Sequence, residues 1–151
     1  MDYNEAIEYI NALGSLGSKP GLERVKALAK RLGNPQEKLK VVHITGTNGK
    51  GSTAMFISSI LECAGYTTGL YTSPHIIRLN EVIRFNGNEI SEFDFAEYVS
   101  KVKATIDEMT EEGFEHPTQF EVLTALSFLF FHEKKCDVAV IEVGMGGRAD
   151  A

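Results

Sequence analysis

The sequence predicts an α/β domain of the phosphate-loop type, three layers deep, with a mainly parallel sheet. Three observations lead there. The β-branched run VVHIT at 41–45 pours into the glycine-rich segment GTNGKGS and then into a helical pattern. A second apolar strand at 67–71 closes a βαβ unit of about the usual 30 residues, which implies parallel strands and a right-handed crossover. CDVAVIEV, beginning at Cys136, is an almost wholly apolar strand, as expected where a strand is buried on both faces.

In chain order, Tyr3, Ala6, Ile7, Ile10 and Leu13 recur at helical spacing before GSLGSKPG interrupts them. A second amphipathic helix follows, with Leu22, Val25, Leu28, Ala29 and Leu32 on one face, basic residues late and Gly33 as its stop. After the first core strand, Ile57, Ile60, Leu61 and Ala64 mark a helix that ends at Gly65. Beyond the second strand, residues 82–85 and 89–90 flank Asn86-Gly87, the signature of a small hairpin. Ser91 opens a helix with Phe95, Val99, Val102, Ile106 and Met109 on its apolar face, and Pro117-Thr118 opens another running to about Lys135. The final apolar strand carries one carboxylate, Glu142, at its carboxyl end. Only three parallel strands are placed and at least one sheet edge is left open, so the expectation is the front of a larger domain.

Composition narrows the function. The 151 residues, 43% of them hydrophobic, suffice for one core. A net charge of -6 excludes the broad basic face of a nucleic-acid or membrane-surface binder, so any attraction for anions is local. The longest apolar stretch, 122–131, contains Thr124 and Ser127 and falls short of the roughly 20 residues a membrane span needs. With no secretory signal pattern at the N-terminus, the expectation is a cytoplasmic protein without membrane or nucleic-acid partners. Cys63 and Cys136 have no ligand spacing and read as reduced packing thiols.

The glycine loop matches neither common fingerprint. Ile44 stands where GxxxxGK[ST] requires glycine, and Gly51 stands where it requires a hydroxyl. Gly46, Gly49 and Gly51 do not fit GxGxxG, and the second strand ends in Tyr71-Thr72-Ser73 without the acid that would hold a ribose, which disfavours a nicotinamide or flavin enzyme. What remains is a strand, a glycine turn, Lys50, and the hydroxyls Ser52 and Thr53 at a helix start. Glycines let the backbone close on an anion, and the unpaired N–H groups of the helix start point at it. The helix dipole contributes only about 0.3–1 kcal/mol at an exposed site, so Lys50 and a metal ion would supply most of the charge compensation. Glu142 is the carboxylate that would stand near Mg²⁺. A turn with a solvated lysine is the plain alternative.

GTNGKGS at 46–52, TSPH at 72–75, TQFE at 118–121 and EVGMGGRADA at 142–151 together resemble the successive signatures of folylpolyglutamate synthase and dihydrofolate synthase, the folate branch of the Mur ligase superfamily. The resemblance runs through the whole chain, in order. It implies a Mur ligase-like central domain, of which residues 1–151 would be the N-terminal part of the ATP-binding domain. The rest of that domain and a C-terminal glutamate-binding domain would be absent. It further implies ATP and Mg²⁺, a folate or dihydropteroate acid, L-glutamate as the amine, and a monomeric full-length enzyme.

Residue by residue, the resemblance assigns ATP phosphates to Gly46, Thr47, Asn48 and Gly49, continuing through Lys50, Gly51, Ser52 and Thr53. Ser73 and Glu142 would ligate the metal, with a third ligand, a histidine, beyond residue 151. Lys50 and Glu142 would carry the catalytic charge compensation. Folate contact is implied for Gly21, Leu22, Glu23 and Arg24, for Pro74 and His75 in the loop after Ser73, and for Thr118, Gln119, Phe120 and Glu121. Each segment has a plainer reading beside it. Thr118 and Glu121 have capping-box spacing, Ser-Pro starts a turn, and GLER at 21–24 is an ordinary acidic helix start. Two departures stand out: Glu81 is followed by Val82 where the family has arginine, and Ala149 is smaller than the family's usual residue. The implied reaction is ATP-dependent amide ligation, the alternative being a nucleotide-binding fragment without ligase activity. A small GTPase-like switch is disfavoured because no guanine-reading NKxD motif is present.

Overall fold

The computed structural model describes residues 1–142 and Gly144. Five helices and five strands are described: α1 Tyr3–Ala12, α2 Glu23–Arg31, β1 Val41–Ile44, α3 Lys50–Cys63, β2 Thr68–Tyr71, β3 Ile83–Phe85, β4 Asn88–Glu89, α4 Glu92–Glu111, α5 Gln119–Glu133 and β5 Val138–Glu142. Short 3-10 turns at Leu13–Leu16, Pro35–Lys38 and Leu79–Val82 were not expected from periodicity, and the last takes Val82 out of the hairpin strand.

The sheet order is β1-β5-β2-β3-β4. The three core strands are parallel as predicted, with Val41 opposite Ala139, Ile44 opposite Glu142, and Tyr71 opposite Ile141. The hairpin does more than its sequence suggests. β3 runs antiparallel along β2, with Gly69 opposite Phe85, and so covers the edge that three strands alone would leave bare. Asn86 and Gly87 at its turn have φ of 48° and 80°, the left-handed pair that a two-residue turn needs.

Strand alternation sorts the layers. Leu70 and Val140 face α3 and join Ala54 in a small cluster, with Val42, Ile44, Ile57 and Leu61 packed against it. Tyr71, Ala139 and Ile141 face the other way, into the large core built by α1, α2, α4 and α5. The predicted α4 stripe is buried throughout, Phe95, Val99, Val102, Ile106 and Met109 each having no exposed surface. α5 is apolar nearly all round because it lies between the sheet and the outer helices. It approaches β2 so closely that a Cβ on Gly69 would stand 2.6 Å from the Phe131 ring. Asn80, fully buried, accepts from the Tyr3 hydroxyl at 2.6 Å and donates to the Ile90 carbonyl at 2.8 Å, pinning α1 to the hairpin.

Candidate functional site

The glycine loop lies at the carboxyl end of β1. Gly46 and Gly49 have φ of 151° and 76°, which favour residues without a Cβ, and Gly49 is the N-cap of α3 with no side chain closing the helix. The first intrahelical bond is from the Thr53 N–H to the Gly49 carbonyl at 2.9 Å. The N–H groups of Lys50, Gly51 and Ser52 therefore start the helix without acceptors in it. Residues 45–49 are exposed and Lys50 is half-buried with no ion pair among the described residues. An open, uncapped helix start with an ammonium beside it has the shape and charge that would suit a phosphate.

Two further groups converge on this end of the sheet. Glu142 follows Val140 by two residues and so faces α3, and a Cβ built on Gly51 would stand 3.7 Å from its Oε2. The Ser73 N–H, from the loop after β2, donates to that same Oε2 at 3.1 Å. Lys50, Ser73 and Glu142 thus line one cavity of about 530 Å³. Glu142 is only 7% exposed and has no cationic side chain paired with it among the described residues. A buried carboxylate left with spare lone pairs beside that helix start is an oxygen donor suited to a hard divalent cation. Among the described residues no group of three His, Cys, Asp or Glu makes a complete shell, so Glu142 and the Ser73 hydroxyl could supply two ligands, with phosphate and water oxygens supplying the rest.

The loop after Ser73 is held from below. The Glu81 carboxylate accepts from the N–H groups of Ile76 and Ile77 at 2.9 Å and of Arg78 at 3.1 Å, and these bonds hold its carboxyl below the usual range. The loop stands out from the sheet edge and exposes Ile76 and Ile77 almost fully. Pro74 and His75 line the cavity from it.

The far wall is the start of α5. Thr118 and Glu121 form the capping box that their spacing predicts, with Glu121 N–H to Thr118 Oγ1 at 3.3 Å and Thr118 N–H to Glu121 Oε1 at 2.9 Å. Gln119 donates to the Ile10 carbonyl at 2.9 Å, and Phe120 stands 6.0 Å from Tyr71, ring to ring. All four line the cavity, as does Gly21. Leu22, Glu23 and Arg24 do not. Arg24 is buried, its Nε donating to Glu121 Oε1 at 2.9 Å and its Nη2 to the carbonyls of Lys19 and Pro20 at 3.0 and 3.3 Å. Of the glycine loop only Lys50 lines the cavity; Gly46, Thr47, Asn48, Gly49, Gly51, Ser52 and Thr53 do not. The cavity also takes in Gly17, Ser18 and Lys19, which carry no motif, the apolar Tyr71, Leu79 and Leu123, Gly144, and Val82, the residue that stands where the family has arginine. Ala149 lies outside the described residues.

Fold and site define an α/β domain with a glycine turn, an uncapped helix start and a lysine at the carboxyl edge of a parallel sheet. The comparisons then give its relatives: the chain is homologous over its whole length to dihydrofolate and folylpolyglutamate synthases, as its motifs indicate. It is 44% identical over 150 residues, 99% of the chain, to the dihydrofolate synthase/folylpolyglutamate synthase of Bacillus subtilis strain 168, covering 35% of that protein. The crystal structure of folylpolyglutamate synthase from Thermotoga maritima matches with a TM-score of 0.91 at 44% identity, over 98% of this chain and 34% of that one. A solved FPGS-AMPPCP-folate complex matches with a TM-score of 0.89 at 40% identity, over 99% of this chain and 37% of that one. The chain thus spans about a third of the length of the relatives it matches. No family profile matches it.

Proposed function

We propose that this chain is the ATP- and acid-binding portion of a ligase that joins L-glutamate to the carboxylate of a folate or of dihydropteroate. The observation that carries the reading is the convergence of Lys50, Ser73 and Glu142 on one cavity, beside an uncapped helix start. Its support from outside is a relative solved with both AMPPCP and folate at 40% identity.

In this reading a carboxylate oxygen of the acid attacks the γ-phosphorus of ATP and ADP leaves. The amine of L-glutamate then attacks the acyl phosphate carbon, and phosphate leaves with the C–O bond electrons. The chain supplies no nucleophile; its task is to hold charge. The N–H groups at the start of α3 and the Lys50 ammonium take the phosphate oxygens. Glu142 and the Ser73 hydroxyl would hold Mg²⁺, which when bound neutralises the transferring phosphate. Phe120, half-buried and backed by the buried Tyr71 ring, offers an aromatic face to a planar ring, and Pro74 and His75 line the cavity beside Ser73.

Residues 1–151 would be the N-terminal part of the ATP-binding domain, with further segments covering α3, whose Phe56 and Ile60 are 70% and 67% exposed. A glutamate-binding domain would complete the enzyme. The proposed setting is the cytoplasm, and no helix among the described residues is long and apolar enough to cross a membrane. Phosphate release by the full-length protein tests the reaction. Release that needs ATP, a folate or dihydropteroate and L-glutamate together is expected, and release independent of glutamate would replace the ligase reading with a simple ATPase.

A further inference from the structure

Phe120, in the first turn of α5, borders two spaces. It lines the large cavity, and with His43, Thr124 and Phe128 it also lines a smaller one of about 70 Å³ at the β1 edge. Its ring therefore stands at the boundary between them. The base of the residue is fixed by its neighbours. Gln119 donates to the Ile10 carbonyl at 2.9 Å, and Glu121 accepts from the Thr118 N–H and from Arg24 Nε, each at 2.9 Å.

The tip of the ring reaches a residue without a side chain. Gly144 lies in the loop after β5, two residues beyond Glu142, and it lines the large cavity too. A Cβ built on it would stand 2.7 Å from the ring's Cζ and 3.0 and 3.1 Å from its two Cε atoms. Carbon atoms pack at about 3.5–4.0 Å, so a side chain at 144 and the ring in its present place exclude each other. What would yield is the ring. Phe131, which meets Gly69, has no exposed surface, whereas Phe120 is half-buried with open space on two sides.

We propose that Gly144 is a positioning residue for the acid substrate, acting through Phe120. Its bare backbone lets the ring stand where a flat heteroaromatic body can stack on it, and it joins that wall to the strand end that carries Glu142. This rests on the ligase reading, in which the planar ring of the acid lies against Phe120. Placement matters because stacking acts only at contact: a gap of about 0.5–1 Å already forfeits a quarter to a half of the attraction between two atoms. A ring pushed into the large cavity blocks the acid, and a ring pushed away from it loses the stack.

Calorimetry on the full-length protein with folate as the probe tests this in a double-mutant cycle of Gly144→Ala and Phe120→Leu, with the denaturation midpoint read beside it. Gly144→Ala is expected to cost about tenfold in folate affinity when made alone, and nothing further when made on top of Phe120→Leu, whose shorter side chain does not reach residue 144. A residue that served the fold alone would cost the same in both backgrounds. Folate affinity untouched by Gly144→Ala, or an affinity or midpoint lowered equally with and without Phe120→Leu, would overturn the assignment of Gly144 while leaving the ligase reading intact. A parent protein that binds AMPPCP but not folate would overturn the substrate reading and this inference with it.

Discussion

At the scale of single residues, the contrast between Lys50 and Arg24 is instructive. Both are cations in segments that resemble ligand-binding motifs, yet only Lys50 is left without a protein partner among the described residues. Its position between Gly49 and Gly51 is readable from the chain because the chemistry is local: a turn, a helix start and an ammonium within a few residues. Arg24 sits in a segment that resembles a folate contact, but its acceptors come from Glu121, 97 residues away, and from the loop before it. No local pattern announces such a pair. Lys50→Ala is expected to weaken Mg-ATP binding at least tenfold, about 1.4 kcal/mol, measured by calorimetry on folded protein. An unchanged dissociation constant would remove Lys50 from phosphate binding.

At the scale of elements, helices were more readable than edges. The α4 stripe, the Ser91 cap, the Thr118–Glu121 capping box and the Asn-Gly turn all lie where their spacings put them. The 3-10 turn at Leu79–Val82 and the attachment of β3 to β2 escaped because neither has a periodic signature: the turn is closed by local bonds around Arg78 and Glu81, and strand pairing depends on a partner outside the hairpin. The seam between α5 and β2 is a close contact beneath the site. Gly69 gives way there to Phe131, which has no exposed surface and nowhere to move. Gly69→Ala is therefore expected to destabilise the fold by about 1–3 kcal/mol through overpacking, read as a shift in the denaturation midpoint. A shift below about 0.5 kcal/mol would show that the ring can yield.

Across the whole molecule, the two faces of the sheet are unequally supported. The large core joins four helices to one face, while α3 rests on the other through a cluster whose fully buried members are Ala54, Leu70 and Val140. The layer that carries the glycine loop and Lys50 is therefore the less anchored one. Native-state hydrogen exchange is expected to show α3 amides opening before those of α5, with Mg-ATP slowing the first turn of α3 most. Equal protection of the two helices, without nucleotide, would contradict this.

Taken by itself, the sequence determined the βαβ core and the direction of its strands and singled out Lys50 and Glu142, because periodicity, glycine spacing and helix-start chemistry act over short stretches of chain; Ser73 was marked only by the resemblance of TSPH to a family signature. Only the tertiary structure decided that these three face one cavity, that the hairpin closes a sheet edge, and that Arg24 holds the Lys19 loop against α5. The first and last depend on groups meeting across 69 and 97 residues of chain, and the hairpin on backbone pairing such as Gly69 with Phe85, where burial and hydrogen-bond satisfaction select the partner.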